Sequence, residues 1–393
     1  MENISHEAFR KLLEVQEGPC LTLYVPGESG GGATRIRWKN QVNEAIRRWE
    51  GQSRGEEGMK TFFDPLVALQ EDIAFWRGAG SALAAYRTPH SFDMYRVPMD
   101  VEEATFLGDR FCVKPLLPFI TGDGGFYILA LSQNNVRLWR ATRWTISPVE
   151  VAGMPKNFED AMKFTDRDEP LNFHTEKIGN KWAAIFHGHG VGIDDHKTDL
   201  LAYFRMIDAA MHRTFREEKA PLVLATVAPV VPLYREANTY AGLAEAFVAG
   251  NPERKSPDEL RDEAYAAIRP DLEEPFRREL ERYRAMQGVG YTSRDFAEVL
   301  PAAMNGEIAT LFVPMDRTCW GRYERDGLIC THEAQAPDDE DLYDRAAHEM
   351  LRRGRAVYAV KAAEIPGGAS VAAIRFAPMA KHGKRPGASV VNA

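Results

Sequence analysis

Residues 124–151 read GGFYILALSQNNVRLWRATRWTISPVEV. FYILALS and VRLWRAT are two strand-like runs parted by Gln133, Asn134 and Asn135. Such a polar break between β-prone runs predicts a β-hairpin. Further on, WAAIFHGHG reads as a strand that runs into a glycine-rich loop. Asp194 and Asp195 then stand where a helix N-cap belongs. Leu200, Phe204, Ile207, Met211 and Phe215 follow at helical spacing and make one apolar stripe. PLVLATVAPVVPLY reads as a buried strand and turn. Hairpin, strand, loop, helix and strand in this order predict an α/β layer domain.

Upstream, residues 6–16 form an amphipathic pattern with Phe9, Leu12 and Leu13 on one face. CLTLYVP is a strand stopped by Pro26, and GESGGGA a flexible loop. Helices are expected over residues 35–49 and 61–76, and SALAAYRTP and SFDMYRVP read as strands. Downstream, residues 251–285 are charged, with signs that alternate, and read as a solvated connecting helix. Pro257 fits its first turn, while Pro270 and Pro275 should break or kink it. DFAEVLPAAMNGE is a helix ending at Asn305 and Gly306, IATLFVP a buried strand, and EDLYDRAAHEMLRRG a helix closed by Gly354. AVYAVKAAEI and SVAAIRFA complete a three-layer pattern. The tail, MAKHGKRPGASVVNA, carries Lys381, Lys384 and Arg385 without acids and is expected to be disordered. The expected domains are 1–118, 119–250, a helical connector 251–288, 289–378 and the basic tail 379–393.

With 393 residues, 45% of them hydrophobic and 27% charged, the chain is globular and long enough for several cores. Its formal charge of −8 excludes coating of nucleic acid by bulk charge and leaves room for a local basic patch. The four cysteines lie far apart without a CxxC pair, which excludes a zinc ribbon and points to free thiols in a reducing compartment. MENISHEAFRKLLEVQEG has no apolar h-region, and no run of 18 apolar residues occurs. A cytoplasmic chain without a membrane contact is expected.

The most unusual stretch is HGHGVGIDDHK, with a further histidine at His174. Gly188, Gly190 and Gly192 let backbone approach a ligand and expose N–H groups at a helix start. Four readings stay open. His187 and His189 can converge on a metal with Asp194 or His196, although the spacing matches no standard zinc signature, so no metal site is assigned. His187 or His189, polarised by Asp194 or Asp195, can act as an acid–base catalyst. The loop can press on an RNA or protein surface through backbone and imidazole hydrogen bonds. It can also be a capped loop whose histidines satisfy their neighbours. No dinucleotide fingerprint or phosphate-binding loop is found, and no cofactor and no serine-hydrolase chemistry are expected. The following helix carries Lys197, Arg205, Arg213 and Arg216, able to meet phosphate or simply to face solvent. Arg137, Arg140 and Arg143 alternate with Leu138, Trp139 and Trp144, a mix that suits nucleic-acid stacking or an ordinary half-exposed hairpin.

The three segments together resemble the archaeo-eukaryotic class I release factors and Pelota, and more closely the bacterial archaeo-eukaryotic release factor-like proteins. MNGEIATLFVP, DLYDRAAHEMLRRGRAVYAV and GGASVAAIRF follow that family's closing domain, and DGGFYILALSQNNVRLWRA resembles its opening hairpin. FHGHGVGIDDHK stands where the family carries its loop tip. The resemblance implies an α/β chain of three domains: a central RNase H-like α/β domain and a C-terminal α-β-α sandwich similar to the kink-turn-binding ribosomal protein fold, behind a release-factor-like N-terminal domain. Gly-Gly-Gln is absent, with Gly188-His189-Gly190 in its place, and so is Asn-Ile-Lys-Ser, near whose position RIRWKNQVN lies. The implied function is a ribosome-associated translation factor in rescue, hibernation or quality control, without stop-codon decoding. Its implied partners are the ribosomal A site with its ribosomal and transfer RNA, and a translational GTPase. Gly188, Gly190, Gly192, His196, Lys197 and Arg205 would then contact RNA. The alternative is a hydrolase of RNA or peptidyl-tRNA that uses His187, His189 and Asp194.

Overall fold

The computed structural model describes residues 1–16, 18–52, 58–77, 81–122, 124–132, 134–165, 193–215, 220–324, 327–378 and 390–392. They belong to two compact units, one made of residues 1–122 and 275–393, the other of residues 123–274.

The first unit opens with β1 (Glu2–Asn3), α1 (His6–Glu14), β2 (Cys20–Val25), α2 (Gly32–Gly51), α3 (Met59–Gln70), α4 (Ile73–Arg77), β3 (Ala82–Arg87), β4 (Phe92–Val97) and β5 (Ala104–Gly108). The sheet order is β1-β4-β3-β2-β5, antiparallel except where β1 joins β4. Every residue of β2 is buried because both faces are covered. Leu21, Leu23 and Val25 meet Trp38, Val42 and Trp49 of α2 and Phe62 and Phe63 of α3. Cys20 and Tyr24 face a second core. Helix α2 starts earlier than the periodicity suggests, because the loop before it is fixed by two left-handed glycines. Gly31 has φ 70°, and a Cβ there would stand 1.7 Å from the Trp76 carbonyl oxygen, so only glycine fits.

The second unit comprises β6 (Phe126–Leu131), β7 (Val136–Ala141), β8 (Ile146–Val149), α5 (Phe158–Thr165), α6 (Ile193–Thr214), β9 (Leu222–Thr226), α7 (Val231–Ala237), β10 (Leu243–Ala249) and α8 (Pro257–Leu272). The strand order is β10-β9-β6-β7-β8. β7 runs antiparallel to β6 and β8, whereas β9 is parallel to β6 and β10 to β9. Numbered within the unit this is 3-2-1-4-5 with one reversed strand, the RNase H-like arrangement. Tyr127, Leu129 and Leu131 meet the expected stripe of α6, and Leu200, Phe204, Ile207, Met211 and Phe215 are all buried.

The opposite face of this sheet corrects the expectation for residues 251–285. Phe126, Ile128 and Ala130 are covered by Leu260, Ala264 and Ile268, so α8 is a packed layer and not a solvated connector. A capping box of Ser256 and Glu259 starts it, with Pro257 in the first turn as expected. Pro270 does not break the helix but falls in its last turn, two residues before the end at Leu272. Pro275 sits in the first turn of α9 (Glu274–Met286), where its missing N–H is not needed. Ile268→Ala is expected to cost about 2–5 kcal/mol in urea unfolding. A solvated connector would lose less than about 0.5 kcal/mol.

The first unit resumes with β11 (Thr292–Ser293), α10 (Phe296–Met304), β12 (Ile308–Pro314), β13 (Trp320–Tyr323), β14 (Ile329–His332), β15 (Glu340–Asp341), α11 (Leu342–Arg352), β16 (Ala356–Val360), β17 (Ala372–Arg375) and β18 (Val390–Asn392). The sheet β11-β17-β12-β16 lies between two helical layers. Phe276 and Tyr283 of α9 pack on Phe312 and Ile374 on one side. Val299, Leu300, Ala346, Ala347 and Met350 pack on Leu311 and Val313 on the other. This is the expected α-β-α sandwich. The same core takes in Phe9, Leu12, Tyr24 and Tyr86, which joins the first 122 residues to the last segment. A small sheet, β15-β13-β14-β18, was not anticipated. Its last strand comes from the tail expected to be disordered: Val390–Asn392 pairs in parallel with β14. Lys381, Lys384 and Arg385 lie outside the described residues.

Candidate functional site

His174, His187, Gly188, His189, Gly190 and Gly192 lie outside the described residues. The helix they lead to is firmly seated. α6 begins at Ile193, so Asp194, Asp195 and His196 belong to its first turn, not Asp194 or Asp195 to the cap. Behind its apolar stripe, buried Asp208 accepts the Thr239 N–H at 3.0 Å and the Thr239 hydroxyl at 2.5 Å. A buried carboxylate held by two donors fixes the helix against rotation on the sheet. Lys197 is exposed and lies 3.7 Å from Glu236 on α7. Arg205, two turns on, is exposed as well. Arg213 is exposed beside Gly153, and Arg216 lies outside the described residues. The helix thus carries cations outward, and its N-terminal dipole favours anionic groups.

The arginines of the hairpin do not act as one row. Strand alternation puts Arg137 and Trp139 on the α8 side, while Arg140, paired with Tyr127, points to the α6 side. Arg143 is exposed in the turn that follows.

The first unit holds a polar site that the sequence did not announce. A cleft of about 660 Å³ is lined by Asp109, Arg110, Arg322, Asp338, Glu340 and Arg345 among others. Glu340 lies 3.2 Å from Arg345 and 3.6 Å from Arg110. Burial pushes its carboxyl up to about 7, with Arg110 opposing. Beneath, Lys114 is ion-paired with Asp341, and its ammonium donates to the Arg317 carbonyl at 2.5 Å. Asp344 accepts the Val113 and Lys114 N–H groups at 2.7 and 2.6 Å. Burial, then the neighbouring Asp341, pushes its carboxyl up to about 7. The one visible signal was a lysine inside the apolar run FCVKPLLPF.

Asp338, with φ 68°, is the non-glycine residue with a left-handed backbone among the described residues, and it follows Pro337 in a turn closed by Asp339 N–H to Ala336 O at 3.2 Å. The spacing GxSxG does occur, as GESGG at residues 27–31, between β2 and α2. Ser29 lacks the strained backbone that a nucleophile elbow requires, so the spacing carries no hydrolase site. Among the described residues no three His, Cys, Asp or Glu side chains group around a metal position. No described helix is long and apolar enough to cross a membrane. All four cysteines are free.

Residues 126–270 match the sequence model of Bacterial archaeo-eukaryotic release factor family 7. No curated protein matches. Among solved structures, the archaeal translation termination factor aRF1 is 12% identical, with 95% of this chain and 99% of that chain covered at a TM-score of 0.24. Pelota of Archaeoglobus fulgidus is 10% identical, with 96% and 93% covered at 0.30. Dom34 of S. cerevisiae, a translation termination-like factor, is 12% identical, with 74% and 75% covered at 0.34. Superpositions this loose fix no residue correspondence. The family match spans the hairpin, the loop and α6, and it ends before the closing-domain stretches on which the sequence resemblance also rested. By that match residues 126–270 are similar to the bacterial archaeo-eukaryotic release factor family 7.

Proposed function

We propose that this chain is a cytoplasmic, ribosome-associated translation factor that acts in rescue, hibernation or quality control. The observation that supports it is the family match over residues 126–270, which contain the whole loop-to-helix junction. The junction would be the tip that reaches toward the large-subunit centre of the A site. Gly188, Gly190 and Gly192 would let backbone approach RNA, and His196, Lys197 and Arg205 would meet phosphates of ribosomal or transfer RNA. Neither Gly-Gly-Gln nor Asn-Ile-Lys-Ser is present, which favours binding that ignores the codon. A translational GTPase would deliver the factor.

Sedimentation of the full chain with ribosomes tests this. The chain is expected in the ribosomal fraction with any codon in the A site. The double variant Lys197→Glu, Arg205→Glu is expected to bind at least about tenfold more weakly, since two attractive phosphate contacts become repulsive. Absence of the wild-type chain from every ribosomal fraction, at low magnesium and in stationary-phase extracts alike, would overturn the proposal.

A further inference from the structure

Several arginines of the chain are tied to carboxylates: Arg37 lies 3.6 Å from Glu28, Arg47 2.6 Å from Glu44, and Arg352 2.8 Å from Glu349. Two arginines of the second unit, Arg137 on β7 and Arg143 in the turn that leads to the edge strand β8, are engaged differently. The Arg143 guanidinium carbon sits 4.4 Å from the centroid of the Trp144 ring and 5.7 Å from that of Tyr265 on α8. That of Arg137 sits 5.7 Å from the Trp139 ring. Among the described residues neither guanidinium has an acidic partner. Trp139 and Tyr265 pack half-buried on the same core, so both stacks lie on the α8 side of the sheet.

The turn that presents Arg143 and Trp144 is rigid. Thr142 Oγ1 accepts the N–H groups of Trp144 at 3.1 Å and Thr145 at 3.0 Å, and the Thr142 N–H donates to the Thr145 carbonyl at 2.8 Å. From α8, Arg261 donates to the Trp144 carbonyl at 3.4 Å while Asp258 and Asp262 hold its guanidinium at 2.6 and 2.7 Å. Such a surface loses little freedom when a ligand settles on it.

We propose that this edge is a stacking platform for a single-stranded RNA segment with unpaired bases. A guanidinium lying on an indole offers a positive charge to a phosphate and a flat face to a base. Duplex RNA does not suit it, because A-form bases are already stacked and the major groove is too narrow for side chains. An acidic peptide would use the charge but not the rings. With a chain charge of −8, binding is local and depends on few phosphates. Two contacts to a single strand give a log–log salt slope of about −1.4.

Fluorescence anisotropy of the full chain with an unstructured 12-nucleotide RNA, the matching duplex and a polyglutamate peptide tests the proposal. The single strand is expected to bind most tightly. Arg143→Ala, at an exposed position that leaves the fold alone, and Trp144→Ala should each weaken it by about tenfold, and Trp144→Phe by less. Arg47→Glu, on the other unit, should leave it unchanged. No binding of the single strand at low salt, equal binding of duplex or peptide, or full binding by Arg143→Ala would overturn the proposal. It does not rest on ribosome association. A chain that binds the RNA but no ribosome keeps this site and loses the proposed function, and the reverse result does the opposite.

Discussion

Replacing Lys114 with alanine is expected to lower the unfolding free energy by about 3–5 kcal/mol, the usual penalty for breaking a buried ion pair from one side. The Lys114 side chain is 6% exposed and that of its partner Asp341 1%. Asp341 also caps α11, its Oδ1 accepting the Tyr343 N–H at 3.1 Å and the Cys319 N–H at 3.2 Å. Without the ammonium, Asp344 keeps the unfavourable influence of Asp341 and loses the cation that opposes it. The loss falls on the seam that joins the first 122 residues to the last segment, because Lys114 precedes its partners by more than 200 residues. A lower urea midpoint at unchanged slope would report it. The double variant Lys114→Met, Asp341→Asn, which removes both charges, should recover most of the loss. A single-variant loss below about 1 kcal/mol would show that the pair is solvated.

The second large effect is a dependence on pH. Asp344 is 8% exposed, and its carboxyl is pushed up to about 7 by burial, with Asp341 adding to it and Lys114 and two backbone N–H groups opposing. An unfolded aspartate titrates near 3.9. Below about pH 4 both states hold the proton and nothing is lost. Between about pH 4 and 7 the unfolded chain has released it while the folded chain keeps it, so stability falls as pH rises, by up to ~1.4 kcal/mol per unit. The total is about 4 kcal/mol, complete above about pH 7. Asp344→Asn keeps an oxygen for the Val113 and Lys114 N–H groups and cannot ionise. The variant should therefore gain on the wild type steadily from pH 4 to 7 in urea titrations. Parallel curves for the two proteins would mean that Asp344 is already charged. Glu340 adds to the trend in the same direction but less, since its side chain is 32% exposed.

The elements that repeat at a clear period were legible from the residues. Leu200, Phe204, Ile207, Met211 and Phe215 lie on one helical face and nowhere else, so their burial followed. Strand β2 and the hairpin of β6 and β7 were legible as short apolar runs bounded by turn residues, and Gly306 and Gly354 closed their helices with φ of 74° and 66°. Helix α8 was misjudged because its buried stripe includes a small Ala264 between Leu260 and Ile268, amid ion pairs such as Arg261 with Asp258 and Lys255 with Glu263. The strands WGRY and ICTH are four residues long and of mixed polarity, too short for alternation to show. The charged seam was hidden by distance along the chain. Nothing local to FCVKPLLPF says that its lysine meets an aspartate in a helix cap. Of the candidate loop, the sequence offers composition and the family match; Asp194 and His196 fall in the first turn of α6, and Lys197 and Arg205 are exposed along it.

A cryo-electron-microscopy map of the full chain on ribosomes would show where the loop-to-helix junction lies. The proposed function predicts density for the chain in the A site, with the start of the 193–214 helix and the loop before it turned toward the large-subunit centre. Density at any other ribosomal position, or the helix start turned away into solvent, would contradict it.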